Sequence, residues 1–417
     1  MKNIQLIIEI LVSLIIVLIS SFSMSLQAQN FSHFQDKTLR LDYIFSGTDK
    51  TQEIALDEMS CFNGWAGRRS NLDSLALRGN CILTLRSQTT GEVLYKQSYS
   101  TLFQEWQATE EATKVRKSFE NVFLVPMPLE KVVIEIILFD FKGNIASSLE
   151  HLVDPSDILI RQKQKSQIDT RYILQSGSPD SCIDVVILSE GYTALEKEIF
   201  YEDAAKAVES ILSHAPFDKY KDKFNFLAIA LESNSSGVSV PHQGLWKETA
   251  LSSHFDTFYS ERYLTTPRQR DIHDYLTGLP YEHIIILANT ETYGGGGIYN
   301  LYTITTAHHQ AFEPVVVHEF GHSFAGLGDE YYYDDMYVEY YYSDIEPWEQ
   351  NITTLVDFGS KWQDMVEAGT AELIEGGGYQ SKGVYRGAHD CRMKTNTASA
   401  FCPVCQRAID RIIQFYL

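Results

Sequence analysis

Residues 314–325 read Pro314-Val315-Val316-Val317-His318-Glu319-Phe320-Gly321-His322-Ser323-Phe324-Ala325, with a proline suited to a first helical turn and apolar residues at helical spacing. On such a helix His318 and His322 stand one turn apart on one face. Two imidazoles so placed can hold a tetrahedral Zn²⁺, and Glu319 beside them can take a proton from a water that the metal acidifies. The chemistry expected is attack of that water on a polarised carbonyl, after which Glu319 passes its proton to the leaving amine. A short motif of this kind also arises by chance. Its flanks therefore decide how much it means.

The next residues, Gly326-Leu327-Gly328-Asp329-Glu330-Tyr331, supply two glycines that can end the helix and turn the chain back toward the metal. Asp329 is then the first candidate for a third protein ligand and Glu330 the second, with a fourth position left open for water as catalytic zinc requires. The plainer reading is that both acids solvate a loop.

Outward from the helix, Cys182-Ile183-Asp184-Val185-Val186-Ile187-Leu188 reads as a buried strand, and Glu196 to His214 has helical periodicity. Phe224 to Leu231 and His283 to Ala288 add two strands, so this half is predicted to be an α/β core. Upstream, Leu39–Phe45, Cys81–Leu85, Val122–Pro126 and Val132–Phe139 are short β-rich runs between polar turns, the pattern of an all-β sandwich. Asp154 to Pro179, polar and low in aromatics, is predicted to be the linker. Gly294–Gly297 and Gly376–Gly378 lack the context of a phosphate loop and mark flexible or closely approached backbone near a cleft.

Across much of the chain these stretches resemble one family. The string HEFGHSFAGLGDEY at 318–331, Asp184 to Thr193, Ser236 to Phe258, and Gly383 through Cys391-Arg392-Met393 to Cys405 are together similar to the IgA peptidase family of bacterial zinc metallopeptidases, relatives of the metzincin group. The resemblance implies an α/β zincin (metzincin-like) catalytic domain preceded by the all-β sandwich. It also implies zinc ligation by His318, His322 and Asp329, catalysis by Glu319, and a methionine turn at Met393 beneath the metal. One departure stands out: the usual metzincin spacing would place glycine at Ala325 and the third ligand at Gly328, and here both are displaced by one residue. Host glycoproteins such as immunoglobulin A are the substrate class that the resemblance suggests.

The N-terminus, Met1-Lys2-Asn3 followed by an apolar stretch from Ile4 to Phe22 and a polar segment to Ala28, has the layout of a secretory signal with cleavage after Ala28. Glu9 within the apolar stretch keeps an uncleaved anchor as the alternative. A secreted, periplasmic or cell-surface protein is expected, with no stable membrane span after signal removal. The net charge of −21 repels phosphate backbones, so nucleic acid is excluded as a partner, and 44% apolar with 21% charged residues excludes a disordered chain. Six cysteines suit an exported protein with one to three bridges; Cys402-Pro403-Val404-Cys405 with Cys391 upstream is expected to contain one disulfide, its pairing open.

Other polar residues rank below these. Only one of His308 and His309 can face the cleft from an extended segment. Tyr385 is a candidate oxyanion donor. Tyr331–Tyr333 and Tyr340–Tyr342, with Asp334, Asp335 and Asp344, suggest an aromatic surface loop, a substrate or glycan subsite, or a weak Ca²⁺ site.

The expected organisation is a signal peptide at 1–28, a sandwich domain at 29–160 and a zinc metallopeptidase domain at 161–417. The expected function is a secreted metalloendopeptidase acting on protein or glycoprotein substrates. The competing reading is a secreted glycan- or protein-binding module with a vestigial zinc site.

Overall fold

The computed structural model describes residues 31–333 and 340–417. The expected signal at 1–28 and the pair Asp334 and Asp335 lie outside the described residues.

The first half is built from Phe34–Gly47 (β1), Gln52–Asn63 (β2), Cys81–Ser87 (β3), Val93–Tyr99 (β4), the short helix Leu102–Gln107 (α1), Lys117–Pro128 (β5), Val132–Phe139 (β6), Ile145–Val153 (β7) and Arg161–Gln162 (β8). These strands form two four-stranded sheets, ordered β5-β1-β2-β8 and β4-β3-β6-β7. Alternation sends Leu39, Leu41, Tyr43 and Phe45 of one sheet against Leu83, Leu85, Ile134 and Ile136 of the other, making a single apolar core. The sandwich is as the four β-rich runs suggest.

The second half begins inside the segment expected to be a linker. Thr170–Gln175 (β9) pairs antiparallel with Phe224–Ile229 (β11), and β8 pairs parallel with β2, so 154–179 supplies one edge strand to a sandwich sheet and one to the sheet of the second half. Its polar composition reflects that exposed edge position.

Ile183–Glu190 (β10) is buried at every position, as a central parallel strand must be. Lys197–Leu212 (α2) follows it. Beyond β11 come Gln269–Tyr275 (α3), His283–Ala288 (β12), Gly295–Ile298 (β13), Tyr302–Thr306 (β14) and Phe312–Ala325 (α4). The six-stranded sheet runs β13-β14-β12-β10-β11-β9, with the four inner strands parallel and β13 and β9 antiparallel at the edges. Val185 and Ile187 face a core shared with Phe200 of α2 and Phe320 and Phe324 of α4, while Val186 and Leu188 face a second core with Phe255, Leu264 and Ile272. The sheet is thus covered on both faces.

Ile352–Thr353 (β15), Gln363–Glu367 (α5), Ile374–Gly377 (β16), Gln380–Arg386 (β17) and Pro403–Tyr416 (α6) complete the chain. The last three strands form a small sheet ordered β15-β17-β16. Among the described residues no helix is long and apolar enough to cross a membrane.

Candidate metal centre and cleft

Helix α4 carries Pro314 in its first turn, where a missing N–H removes no intrahelical bond. It ends at Gly326, which is left-handed at φ +57, and there a Cβ would come within 2.6 Å of the Trp348 ring. Glycine is the residue that allows both. The Gly326 and Leu327 amides close on the carbonyls of His322 and Gly321. Asn351 then clasps Gly328, donating to its carbonyl at 2.9 Å and accepting from its amide at 2.8 Å. That turn aims Asp329 back at the helix.

The Nε2 atoms of His318 and His322 are 3.0 Å apart, and Asp329 Oδ1 lies 3.1 and 3.3 Å from them. Three donors at about 2.0–2.1 Å from a tetrahedral zinc stand roughly 3.3 Å from one another. The imidazole tautomers agree with such a role. Each Nδ1 faces a backbone carbonyl, Arg392 for His318 at 2.9 Å and Leu327 for His322 at 2.5 Å. A carbonyl only accepts, so each Nδ1 carries the hydrogen, and in the neutral ring each Nε2 presents a lone pair toward Asp329. Asp329 Oδ1 is itself buried without a hydrogen-bond donor. Three lone-pair atoms at these distances fit a shared cation, and zinc suits two imidazoles and a carboxylate.

Charge balance points the same way. Burial disfavours a charged His322, yet the Asp329 carboxylate and Glu319 outweigh it and bring the ring up to about 9. Burial likewise works against an ionised Asp329, and the two imidazoles hold it well below the usual carboxylate range. Both acids thus favour a cation at Nε2, whether a proton or a metal ion in its place. Tyr379 donates its hydroxyl to Asp329 Oδ2, which fixes the second carboxylate oxygen.

Glu319 lies beside the two imidazoles. One of its carboxylate oxygens and the ligand nitrogens of both imidazoles lie within 4.8 Å of one another. Burial raises its pKa, with His318 and His322 partly offsetting the effect. The glycine run explains how it fits: a Cβ at Gly295 would stand 2.9 Å from Glu319 Oε1, and one at Gly297 would stand 2.2 Å from the Glu319 carbonyl. Below, Met393 is fully buried and its sulfur packs against Gly321 of the helix.

The centre opens into a cleft of about 770 Å³. Both halves of the chain line it. Glu105 of α1 reaches it from the sandwich side and accepts from the Tyr263 hydroxyl; burial pushes the Glu105 carboxyl up to about 7. Arg262, which also lines the cleft, donates to the Tyr333 hydroxyl at 2.7 Å.

Two family models match the chain: IgA Peptidase M64 over 172–374 and 372–413, and Peptidase M64 N-terminus over 30–150. The chain belongs to the peptidase M64 family. Among curated proteins none matches it. M64 membership makes the chain a peptidase of a metallopeptidase family with protein as its substrate class, and an N-terminal β-rich region is part of the family pattern.

Within this M64 chain the structure gathers His318, Glu319, His322 and Asp329 at one point. Glu330, the second candidate for third ligand, turns elsewhere: its Oε1 accepts from Asn351 and lies 3.0 Å from Cys405 Sγ. His308 pairs with Asp203 at 2.8 Å and His309 packs on Tyr293, so neither joins the metal centre. Tyr385 sits in β17 opposite Thr353, outside the cleft lining. The disulfide expected within the C-terminal trio is not formed; Cys391 and Cys405 Sγ are 3.7 Å apart, beyond a bond of about 2.05 Å. Tyr379, Arg262 and Glu105 are site residues that the sequence reading missed.

Proposed function

We propose that the chain is an exported zinc metalloendopeptidase of metzincin-like build, cleaving peptide bonds within proteins, with His318, His322 and Asp329 as the zinc ligands and Glu319 as general base. The observation that carries this reading is the triangle of Nε2, Nε2 and Oδ1 atoms at 3.0, 3.1 and 3.3 Å, with both Nδ1 hydrogens directed to carbonyls. When bound, zinc supplies Lewis acidity, lowering the pKa of water and polarising the scissile carbonyl.

The chain's own residues supply the remainder. Glu319, lifted in pKa by its burial, takes the proton from the attacking water and holds it long enough to deliver it to the departing amine. Its position is set by the close backbone of Gly295 and Gly297. His318 and His322 keep their Nε2 lone pairs aimed by the Arg392 and Leu327 carbonyls, and Tyr379 holds Asp329. The aromatic rim of Tyr331, Tyr333 and Tyr341, together with Arg262, offers stacking and hydrogen-bonding surface for an extended polypeptide. The family description names IgA, and host glycoproteins of that class are the proposed substrates. The complete donor set weighs against a vestigial, binding-only site.

The test is cleavage of a panel of denatured and mucin-like proteins, with immunoglobulin A included. Wild type is expected to cleave, to stop on treatment with 1,10-phenanthroline and to recover with added Zn²⁺, while His318→Ala/His322→Ala stays inactive throughout. Zinc-loaded wild type that cleaves nothing in the panel would overturn the peptidase reading.

A further inference from the structure

Asp329 and Glu330 are consecutive, yet their side chains serve different places. Glu330 is fully buried at 0% exposure, and around it converge Cys391, Cys402 and Cys405, all buried. Glu330 Oε1 lies 3.0 Å from Cys405 Sγ and 3.9 Å from Cys402 Sγ, and Cys391 Sγ lies 3.7 Å from Cys405 Sγ. All four donor atoms fall within 4.8 Å of one another. Glu330 Oε2 is buried with no hydrogen-bond partner.

These spacings distinguish between chemistries. A disulfide needs sulfurs at about 2.05 Å. Thiolates on one tetrahedral zinc, each at about 2.3 Å from it, stand roughly 3.8 Å apart, and a thiolate and a carboxylate oxygen stand roughly 3.5 Å apart. The observed 3.7 Å, and 3.0 and 3.9 Å on either side of the mixed spacing, match the second arrangement. Backbone amides also point at the sulfurs: Cys402 N–H donates to Cys391 Sγ at 3.2 Å and Cys405 N–H to Cys402 Sγ at 3.5 Å. Such bonds favour the thiolate form that a metal needs. A redox role for the CxxC fits poorly, since an exchanging thiol must be reached by its partner.

We propose that Cys391, Cys402, Cys405 and Glu330 bind a second zinc ion, a closed structural site with no open coordination position. It takes up Zn²⁺ from solution, releasing the thiol protons to solvent. The ion ties together three segments: the turn after α4, the strand-to-helix connection at Cys391, and the N-terminus of α6, where Cys402 is the cap. Through them it braces the catalytic centre, because Glu330 N–H donates to the Met393 carbonyl at 2.9 Å, Asp329 precedes Glu330, and Met393 follows Cys391 by two residues. The proposal rests on its own donor set and not on catalysis by Glu319.

The test measures metal content by plasma mass spectrometry and zinc K-edge X-ray absorption on the full chain, in wild type, His318→Ala/His322→Ala and Cys391→Ser/Cys405→Ser. Wild type should hold two zinc ions. The histidine variant, which keeps all four donors, should hold one with Zn–S scattering near about 2.3 Å, and the cysteine variant should lose that signal. A histidine variant without sulfur-coordinated zinc, or a peptide map of unreduced protein showing a disulfide among the three cysteines, would overturn the proposal even if the cysteine variant fails to fold. Should the histidine site bind no metal, wild type would hold one zinc on sulfur, which sinks the catalytic reading and leaves this one standing.

Discussion

The imidazole Nδ1 of His318 donates to the Arg392 carbonyl at 2.9 Å, and the next residue is Met393, whose sulfur packs under the same helix. A segment 74 residues downstream therefore orients one histidine of the centre and packs against the helix that carries it. Local helix geometry places the two imidazoles; a distant carbonyl aims His318, and the turn that follows the helix aims His322.

Asp329 is held in the same way. Its Oδ2 accepts from the Tyr379 hydroxyl while Oδ1 faces the two imidazoles. Tyr379→Phe removes that donor without changing the ring's packing on Tyr331. Zinc affinity is expected to fall about 10- to 100-fold, as for other partners of metal ligands, with the fold intact by circular dichroism. Competition with a chromogenic chelator measures it; unchanged affinity would remove Tyr379 from the account.

Gly297 is where the edge strand β13 and helix α4 come closest. A Cβ there would lie 2.2 Å from the Glu319 carbonyl and 2.8 Å from His322 Cβ, with backbone rather than a flexible chain end in the way. Gly297→Ala should cost about 1–3 kcal/mol of stability by forcing the two apart. Peptidase activity should drop with it. Gly91, where a Cβ meets nothing, is the comparison site: Gly91→Ala strains only its own φ of +73 and should leave activity unchanged. Equal activity in the two variants would contradict the close-approach argument.

Acid sensitivity should come partly from buried histidines. Burial lowers His283 and His273 to about 3 from the ordinary 6.5. Between these values the unfolded chain binds protons that the folded chain refuses, so stability is whole above about pH 6.5 and is lost as pH falls toward 3. His283 packs against Phe324 of the catalytic helix at 4.7 Å, and its Nε2 has no partner. His283→Phe keeps the ring contact and removes the titration. Its urea midpoint should fall less than that of wild type between about pH 7 and about pH 5; parallel losses would assign the acid sensitivity elsewhere.

What the sequence disclosed follows from the range of each signal. Ile183–Glu190, Phe224–Ile229 and His283–Ala288 are legible as strands because burial on both faces demands unbroken apolar runs. Gln52–Asn63 and Ile145–Val153 are hard to read as strands because one face is solvated, leaving Glu53, Asp57, Ser148 and Glu150 among their apolar residues. His318, Glu319 and His322 announce themselves through helical spacing alone. Tyr379 and Glu105 do not, since each reaches the cleft only through tertiary packing, 50 residues beyond Asp329 in one case and from the opposite half of the chain in the other. The CxxC at Cys402 is visible in the sequence, but Glu330, the carboxylate beside it, lies in the loop whose neighbouring Asp329 faces the histidines.

The central claim is that Glu319 moves the proton while the histidines and Asp329 hold the metal. Its most direct measurement is kcat/KM for one cleaved protein substrate with wild type and Glu319→Gln at equal, verified zinc content. A loss of about 10²- to 10⁴-fold is expected for removal of a general base, with zinc occupancy unchanged. Equal kcat/KM in the two proteins would contradict the account.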